Sequence, residues 1–148
     1  MNRIFELGSL WVMPFWLTMI FLPRLKLTQA LNRGLWGPIG PALVYAALVL
    51  PRMASVLPAV LQPKLPAIAA LLATPEGATI AWLHFLAFDL FLGRYIYWDA
   101  RERELPALAV APILFFTLML GPIGLLAYLG LRAALSRRTA TPAAEVRP

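Results

Sequence analysis

Four long apolar runs constrain the fold of this chain more than any other feature of its sequence. They cover about residues 4–22, 35–57, 75–98 and 105–131. A bilayer core about 30 Å thick is crossed by about 20 helical residues, so each run is long enough to span it. Lipid admits only helices or closed barrels, and these runs lack the alternation of barrel strands. The sequence therefore predicts an all-α, integral membrane bundle of four transmembrane helices.

The bulk composition leads to the same class of protein. Of the 148 residues, 61% are hydrophobic, which is more than a soluble domain of this length would carry. The net charge is +6, but the basic residues stand in short clusters between the apolar runs, as membrane-flanking residues do. No nucleic-acid partner is predicted. The chain has no cysteine and one histidine, which excludes disulfides, thiolate sites and multi-histidine metal sites, and no cofactor is predicted.

The ends of the third run carry residues typical of helix ends. Thr74 is the predicted N-cap, and Pro75 follows it at the first helical position. The linker 58–74 contains three prolines, so it cannot form one continuous helix. We predict one transmembrane domain over residues 1–135, followed by a disordered polar tail over 136–148.

Orientation is not decided by the distribution of charge. Four spans would place both termini on one side, with seven Lys and Arg residues there and six on the other side. The first run is too long for a secretory signal, and basic residues rather than a cleavage site follow it. No transit peptide precedes it, so we expect a bacterial-type inner (plasma) membrane.

Asp89 lies near the middle of the third run, where an ionised side chain costs about 3 kcal/mol or more. Such a residue normally faces protein, trapped water or a ligand, and it marks a candidate functional site. His84 lies five residues before Asp89, so the two are about 140° apart on a straight helix and cannot touch directly. Asp89 and His84 are the candidate catalytic residues, because a neutral carboxyl can donate a proton and a neutral imidazole can accept one.

The alternative is that Asp89 is a protonated packing residue that joins two helices. In either case it needs a polar partner from another helix, from water or from a ligand. The charged sequence 99–104 is interpreted as a solvated connector. The side chains that could supply a protein partner for Asp89 are Thr18, Tyr45, Ser55, Thr117 and Tyr128.

Several other residues are predicted to be structural. Arg94 lies five residues after Asp89, and we expect it to reach the membrane boundary as an anchor beside Trp98. Gly121 and Pro122 belong to a Gly-Pro-Ile-Gly sequence in the fourth run, and residues 37–40 repeat it in the second. We interpret both copies as kinks that allow close helix contact. Duplication of a two-helix unit is the alternative.

Three stretches of the sequence resemble a known family: MIFLPR at 19–24, HFLAFDLFLGRYIY at 84–97 and FTLMLGPIGLL at 116–126. The chain resembles the abscisic-acid-deficient-four-like family of small four-helix membrane proteins over about residues 5–131. Plant members are implicated in forming the xanthophyll neoxanthin from violaxanthin. The resemblance implies an isomerisation of a carotenoid or related isoprenoid lipid, in which Asp89 and His84 would supply the acid and the base.

Three functions follow as hypotheses. The first is an enzyme-like role on a carotenoid or isoprenoid lipid, and the second is a non-catalytic accessory protein that binds a lipid or pigment. A small transporter that relays protons through Asp89 is the third, and it would need an oligomer to form a path. The expected partners are the lipid bilayer, a carotenoid or isoprenoid lipid, and a partner membrane enzyme or a second copy of the chain.

Overall fold

The structure is a computed structural model that describes residues 1–139. Most of the predicted tail, residues 140–148, lies outside the described residues. The described part contains α-helices, one 3-10 turn at Leu50–Arg52 and no strand, so the all-α class is confirmed. The helices are α1 (Asn2–Phe21), α2 (Lys26–Arg33), α3 (Trp36–Val49), α4 (Met53–Leu61), α5 (Leu65–Leu72), α6 (Pro75–Glu102), α7 (Ala107–Met119) and α8 (Gly121–Thr139).

Three helical stretches are long and apolar enough to cross a membrane: Asn2–Phe21, Lys26–Leu61 and Pro75–Glu102. The first and third coincide with two predicted runs. The second is interrupted after α3, at the 3-10 turn containing Pro51, because proline has no N–H to continue the helical hydrogen bonds. The structure thus supports a membrane protein in which α1, α6 and the stretch containing α3 are the long apolar elements.

The helix predicted over 105–131 is two helices in the structure. α7 ends at Met119 and α8 begins at Gly121, followed at once by Pro122. Gly124 lies directly against Thr117, whereas seven residues of straight helix would separate them by about 10 Å. The chain therefore reverses at Leu120, and α7 and α8 form a hairpin. Both helices fall short of the length of the three long stretches, so a four-span bundle is not confirmed.

The hairpin reaches the middle of α6 and then returns. Leu105, just before α7, donates its N–H to Ala100 near the end of α6. Gly121 at the tip lies against Asp89, and Tyr128 of α8 binds Asp99. Asp89 and Asp99 are ten residues apart, a rise of about 15 Å along α6. α7 and α8 consequently enter and leave at the same end of the bundle.

The molecule has two ends, which we call the N-terminal side and the C-terminal side. The N-terminal side holds the start of α1 and residues 50–75, and Phe5 and Ser9 there contact Trp82 of α6. The C-terminal side holds residues 22–35, residues 100–106 and the end of α8. Over residues 1–135 the basic residues divide three to seven: Arg3, Arg52 and Lys64 against Arg24, Lys26, Arg33, Arg94, Arg101, Arg103 and Arg132.

α6 is the central helix and contacts α1, α3, α5, α7 and α8. Thr74 caps its start, accepting a hydrogen bond from the N–H of Gly77 at 3.0 Å, as the sequence predicted. Trp16 of α1 packs where Gly93 leaves room, since any Cβ at residue 93 would collide with its ring. The core therefore lies between α1, α6 and the hairpin.

Candidate functional site

His84 lies on the exposed surface of α6, towards the N-terminal side. Its ring stacks on Phe88 with 4.6 Å between ring centres, and the ring of Tyr45 from α3 lies 5.7 Å away. These aromatic contacts orient the imidazole. His84 also lines a cavity of about 390 Å³ between α3, α4, α5 and α6. Tyr45, predicted as a partner for Asp89, therefore accompanies His84 instead.

The cavity beside His84, which we call the His84 cavity, has an apolar body and a few polar groups. An ion pair between Arg52 and Glu76 forms part of its wall. Its other polar lining residues are Tyr45, Ser55 and Thr74. The pairing of Glu76 with Arg52 depends on how α3 packs against α6, so it could not be predicted from the sequence. Apolar walls with a small number of polar groups are typical of small-molecule sites.

Asp89 lies about one and a half turns further along α6 and is half-buried. Its carboxylate occupies the space that a Cβ on Gly121 would need, at the start of α8. The start of a helix carries partial positive charge, which favours a nearby anion. Within residues 1–135 the structure shows no hydrogen bond to the Asp89 side chain. The predicted partners bond elsewhere: Thr18 to Pro14 and Phe15, Ser55 to Arg52, Thr117 to Ile113 and Tyr128 to Asp99.

His84 and Asp89 are on different sides of α6 and do not line the same cavity. Between them lie Phe85 and Phe88, which are 53% and 63% exposed. The hairpin stops at Asp89, so it leaves this part of α6 uncovered towards the N-terminal side. An apolar surface thus connects the imidazole with the carboxylate, and we call Phe85 and Phe88 the aromatic strip.

Arg94 and Trp98 bind the end of α2. Arg94 donates from Nε to the carbonyl of Asn32 at 2.6 Å and from Nη2 to the carbonyl of Arg33 at 2.7 Å. Trp98 donates from Nε1 to the same Asn32 carbonyl at 2.9 Å. The last carbonyls of a helix have no partner within the helix and carry partial negative charge. Arg94 and Trp98 therefore fix the end of α2 to α6, and the position of Arg94 at the membrane boundary stays a prediction.

Asp99 is the polar residue that sequence analysis missed. Its carboxylate accepts a hydrogen bond from the Tyr128 hydroxyl and pairs with Arg103 at 2.8 Å and Arg132 at 3.7 Å. The sequence 99–104 was interpreted as a solvated connector, but Asp99 lies within α6 and fixes α8 to it. The i,i+4 spacing of Asp99 and Arg103 was the signal available for a helix there.

The family model described as ABA DEFICIENT 4-like matches residues 3–128. The chain belongs to this family. The matched region of this ABA DEFICIENT 4-like chain includes His84, Asp89 and the tip of the hairpin, and it confirms the resemblance seen in the sequence. No curated protein and no solved structure matches the chain.

The arrangement suits proton transfer and binding of an apolar ligand better than metal chemistry. Within the described residues, no three His, Cys, Asp or Glu side chains come together in a way that could hold a metal ion. The polar groups of this ABA DEFICIENT 4-like protein that face the uncovered part of α6 are one imidazole and one carboxylate. Both can give and accept protons, and the surface between them is aromatic.

Proposed function

We propose that this protein is a multi-pass protein of a bacterial-type inner membrane that isomerises a carotenoid or related isoprenoid lipid. Asp89 transfers the proton, and the His84 cavity holds the polar end of the substrate. Membership of the ABA DEFICIENT 4-like family supports the substrate class. The observation that carries the proposal is the half-buried Asp89 carboxylate, which lies in the middle of an apolar helix without a hydrogen bond from the described side chains.

Access to Asp89 follows from the shape of the hairpin. Because α7 and α8 turn back at Leu120, no helix of the described chain covers the aromatic strip above Asp89. A long apolar molecule dissolved in the bilayer can lie along Phe85 and Phe88 without passing through water. Such a molecule would contact His84 at one end of the strip and Asp89 at the other.

The His84 cavity limits which part of the substrate enters the protein. Ligand pockets usually measure about 300–1,000 Å³, so a cavity of about 390 Å³ takes one end group rather than a whole polyene. Its polar groups, His84 and the Arg52–Glu76 pair, suit a hydroxylated ring. The epoxide side of that ring and the polyene chain would then lie outside the cavity, along the aromatic strip that leads to Asp89.

The chemistry is an isomerisation in which one epoxide C–O bond breaks and a neighbouring carbon loses a proton. The electrons of that C–H bond form the new C=C bond of an allene, and the oxygen gains a proton to become a hydroxyl. Asp89 takes the proton from carbon and delivers it to oxygen, so no atom is gained or lost. His84 lies about 7.5 Å away along the helix axis, so it holds the polar end and does not act on the same atoms.

Pigment analysis in a host that makes an epoxy-carotenoid tests this proposal. Wild type should produce a new compound of unchanged mass. Asp89→Asn should lower its formation by about 100-fold or more, the usual loss when a general acid–base group is removed. Glu102→Gln, which changes an exposed carboxyl on the same helix, should match wild type. Equal conversion by Asp89→Asn at an equal protein level in the membrane would refute the proposal.

The second candidate is an accessory protein that binds a pigment or lipid without changing it. The separation of His84 from Asp89 favours it, because neither residue has the other as a partner for acid–base chemistry. It predicts that purified wild type retains a pigment of unaltered structure, and that Asp89→Asn changes the amount retained. A partner enzyme or a second copy would then complete the reaction, so conversion would require its co-expression.

A further inference from the structure

A second cavity lies at the C-terminal side, away from His84 and Asp89. It measures about 330 Å³ and lies between the end of α1, the end of α6 and the start of α7. Its inner wall is apolar and closes on Met19 and Leu114, both about 1% exposed. Its polar lining side chains are Arg24, Arg101 and Glu104, which form the rim, and the buried Tyr97, whose hydroxyl donates to the carbonyl of Pro23 at 2.8 Å.

The rim has a net positive charge. Arg101 donates from Nη1 to the carbonyl of Pro23 at 2.9 Å, and its guanidinium lies 5.7 Å from the centre of the Tyr97 ring. A guanidinium has five N–H donors, so the bond to Pro23 positions Arg101 and leaves donors for a ligand. Arg24 is exposed at the same opening. Two arginines and Glu104 give the rim a formal charge of about +1.

The cavity also lies at the depth of lipid head groups. Partly exposed Trp98 packs against the lining residue Tyr97, and tryptophan is a residue type that marks the boundary between the bilayer core and the head groups. The C-terminal side carries seven of the ten basic residues in 1–135. An excess of Lys and Arg marks the cytoplasmic side, whose leaflet contains anionic lipids. The cavity is therefore placed where an anionic head group would be found.

We propose that this cavity binds the phosphate of an anionic phospholipid, with the glycerol and first acyl carbons against the apolar wall. Arginine binds phosphate with two parallel hydrogen bonds, and Arg24 and Arg101 supply two such groups. Inorganic phosphate would use the arginines but not the wall at Met19 and Leu114. A neutral lipid would use the wall without the full set of charge-assisted bonds. The cavity shares no lining residue with the His84 cavity, so the two proposals stand independently.

Native mass spectrometry of the delipidated full chain tests the site. Phosphatidylglycerol, phosphatidylcholine or inorganic phosphate is added back, and the bound fraction is measured. Arg24→Gln with Arg101→Gln should weaken phosphatidylglycerol binding by about tenfold or more, as expected for lost charge-assisted hydrogen bonds. Lys26→Gln with Arg33→Gln removes the same charge from the same side, outside the cavity, and should stay within about twofold of wild type.

Three results would overturn the proposal. Equal loss of binding in both double variants would mean that general surface charge attracts the lipid. Equal affinity for phosphatidylcholine would mean that the arginines do not select the head group, and tight binding of inorganic phosphate would make this a site for a soluble anion. Ala111→Phe fills the cavity and leaves both arginines in place, so it should also release the lipid if the protein folds normally.

The proposal requires the C-terminal side to face the cytoplasm. The chain has no cysteine, so single-cysteine variants report their position without background labelling. A membrane-impermeant maleimide added outside intact cells should label Gln62→Cys on the N-terminal side and spare Glu102→Cys on the other. Labelling of Glu102→Cys from outside would overturn the argument from the anionic leaflet.

Discussion

The candidate site residues in the N-terminal half of α6 and the polar residues in its C-terminal half differ in their bonds to the rest of the protein. Towards the C-terminal side, Arg94, Trp98 and Arg101 each donate hydrogen bonds to backbone carbonyls of the chain between α1 and α3. Towards the N-terminal side, His84 has aromatic neighbours and Asp89 lies against a glycine. The C-terminal half therefore uses these polar groups to hold the fold together. In the N-terminal half Glu76 and Trp82 also bond to the protein, but His84 and Asp89 are left available to a molecule in the bilayer.

The polar residues of α6 differ in whether the protein itself supplies their hydrogen-bond partners. A polar group in an apolar environment costs free energy unless a partner satisfies it. Arg94 has two partners in the protein, so its cost is offset in the fold. Asp89 has the positive end of α8 nearby but no hydrogen bond within residues 1–135, so a ligand or trapped water can offset its cost. Substitutions at Arg94 should therefore lower the stability of the protein, whereas substitutions at Asp89 should change its function without lowering its stability.

The largest effect on stability is expected from Arg94→Ala. It removes the hydrogen bonds to the part-buried carbonyl of Asn32, which keeps its bond from Trp98, and to the exposed carbonyl of Arg33. Hydrogen bonds to charged groups are each worth about 1.5–3 kcal/mol, so we expect a loss of about 3 kcal/mol. Unfolding of the purified chain in mixed micelles, with increasing denaturing detergent, measures it.

Two variants serve as references for Arg94→Ala. Arg33→Ala removes an exposed basic side chain nearby and should change the free energy of unfolding by less than about 0.5 kcal/mol. Asp89→Ala should leave stability unchanged or raise it. If Asp89→Ala destabilises the protein as much as Arg94→Ala does, Asp89 is a structural residue and the difference between the two halves disappears.

An intermediate effect is expected at the tip of the hairpin. The new Cβ in Gly121→Ala would meet the Asp89 carboxylate, and overpacking of this kind costs about 1–3 kcal/mol. In an Asp89→Ala background the same substitution should be neutral, which gives a coupling energy of about 1 kcal/mol or more. Gly130→Ala is the matched control on α8: nothing lies near its Cβ, so it should stabilise the helix slightly. Additive effects at residues 89 and 121 would contradict the contact.

The sequence predicted the helices that depend on local signals. α1 and α6 coincide with two of the apolar runs, and the Thr74 cap followed from the order of residues around Pro75. Four more residues of α6 could not be predicted from the apolar pattern, because the mixed charges at 99–102 resemble a loop. A non-local contact helps to hold these four residues in the helix, because Tyr128 of α8 donates a hydrogen bond to Asp99.

The reversal of the chain between α7 and α8 could not be predicted from the sequence. The run 105–131 contains no charge, and its Gly-Pro-Ile-Gly sequence indicates a break without giving its angle. The reversal depends on packing of Gly124 against Thr117 and of Gly121 against Asp89, which only the folded chain brings together. Asp89 and His84 could be chosen as candidates from the sequence, because their position in an apolar run is visible there. Their placement on separate surfaces could not be predicted.

The smallest effect on stability is expected from His84→Gln. The imidazole is exposed and its described contacts are with aromatic rings, so the free energy of unfolding should change by less than about 0.5 kcal/mol. If the His84 cavity holds the polar end of the substrate, retention or conversion of the pigment should nevertheless fall, because the loss is in binding and not in folding. Phe88→Leu removes the ring stacked on His84 while keeping the surface apolar, so it should reduce binding less than His84→Gln does. A loss of stability in His84→Gln as large as that in Gly121→Ala would show that this half of α6 also holds the fold together.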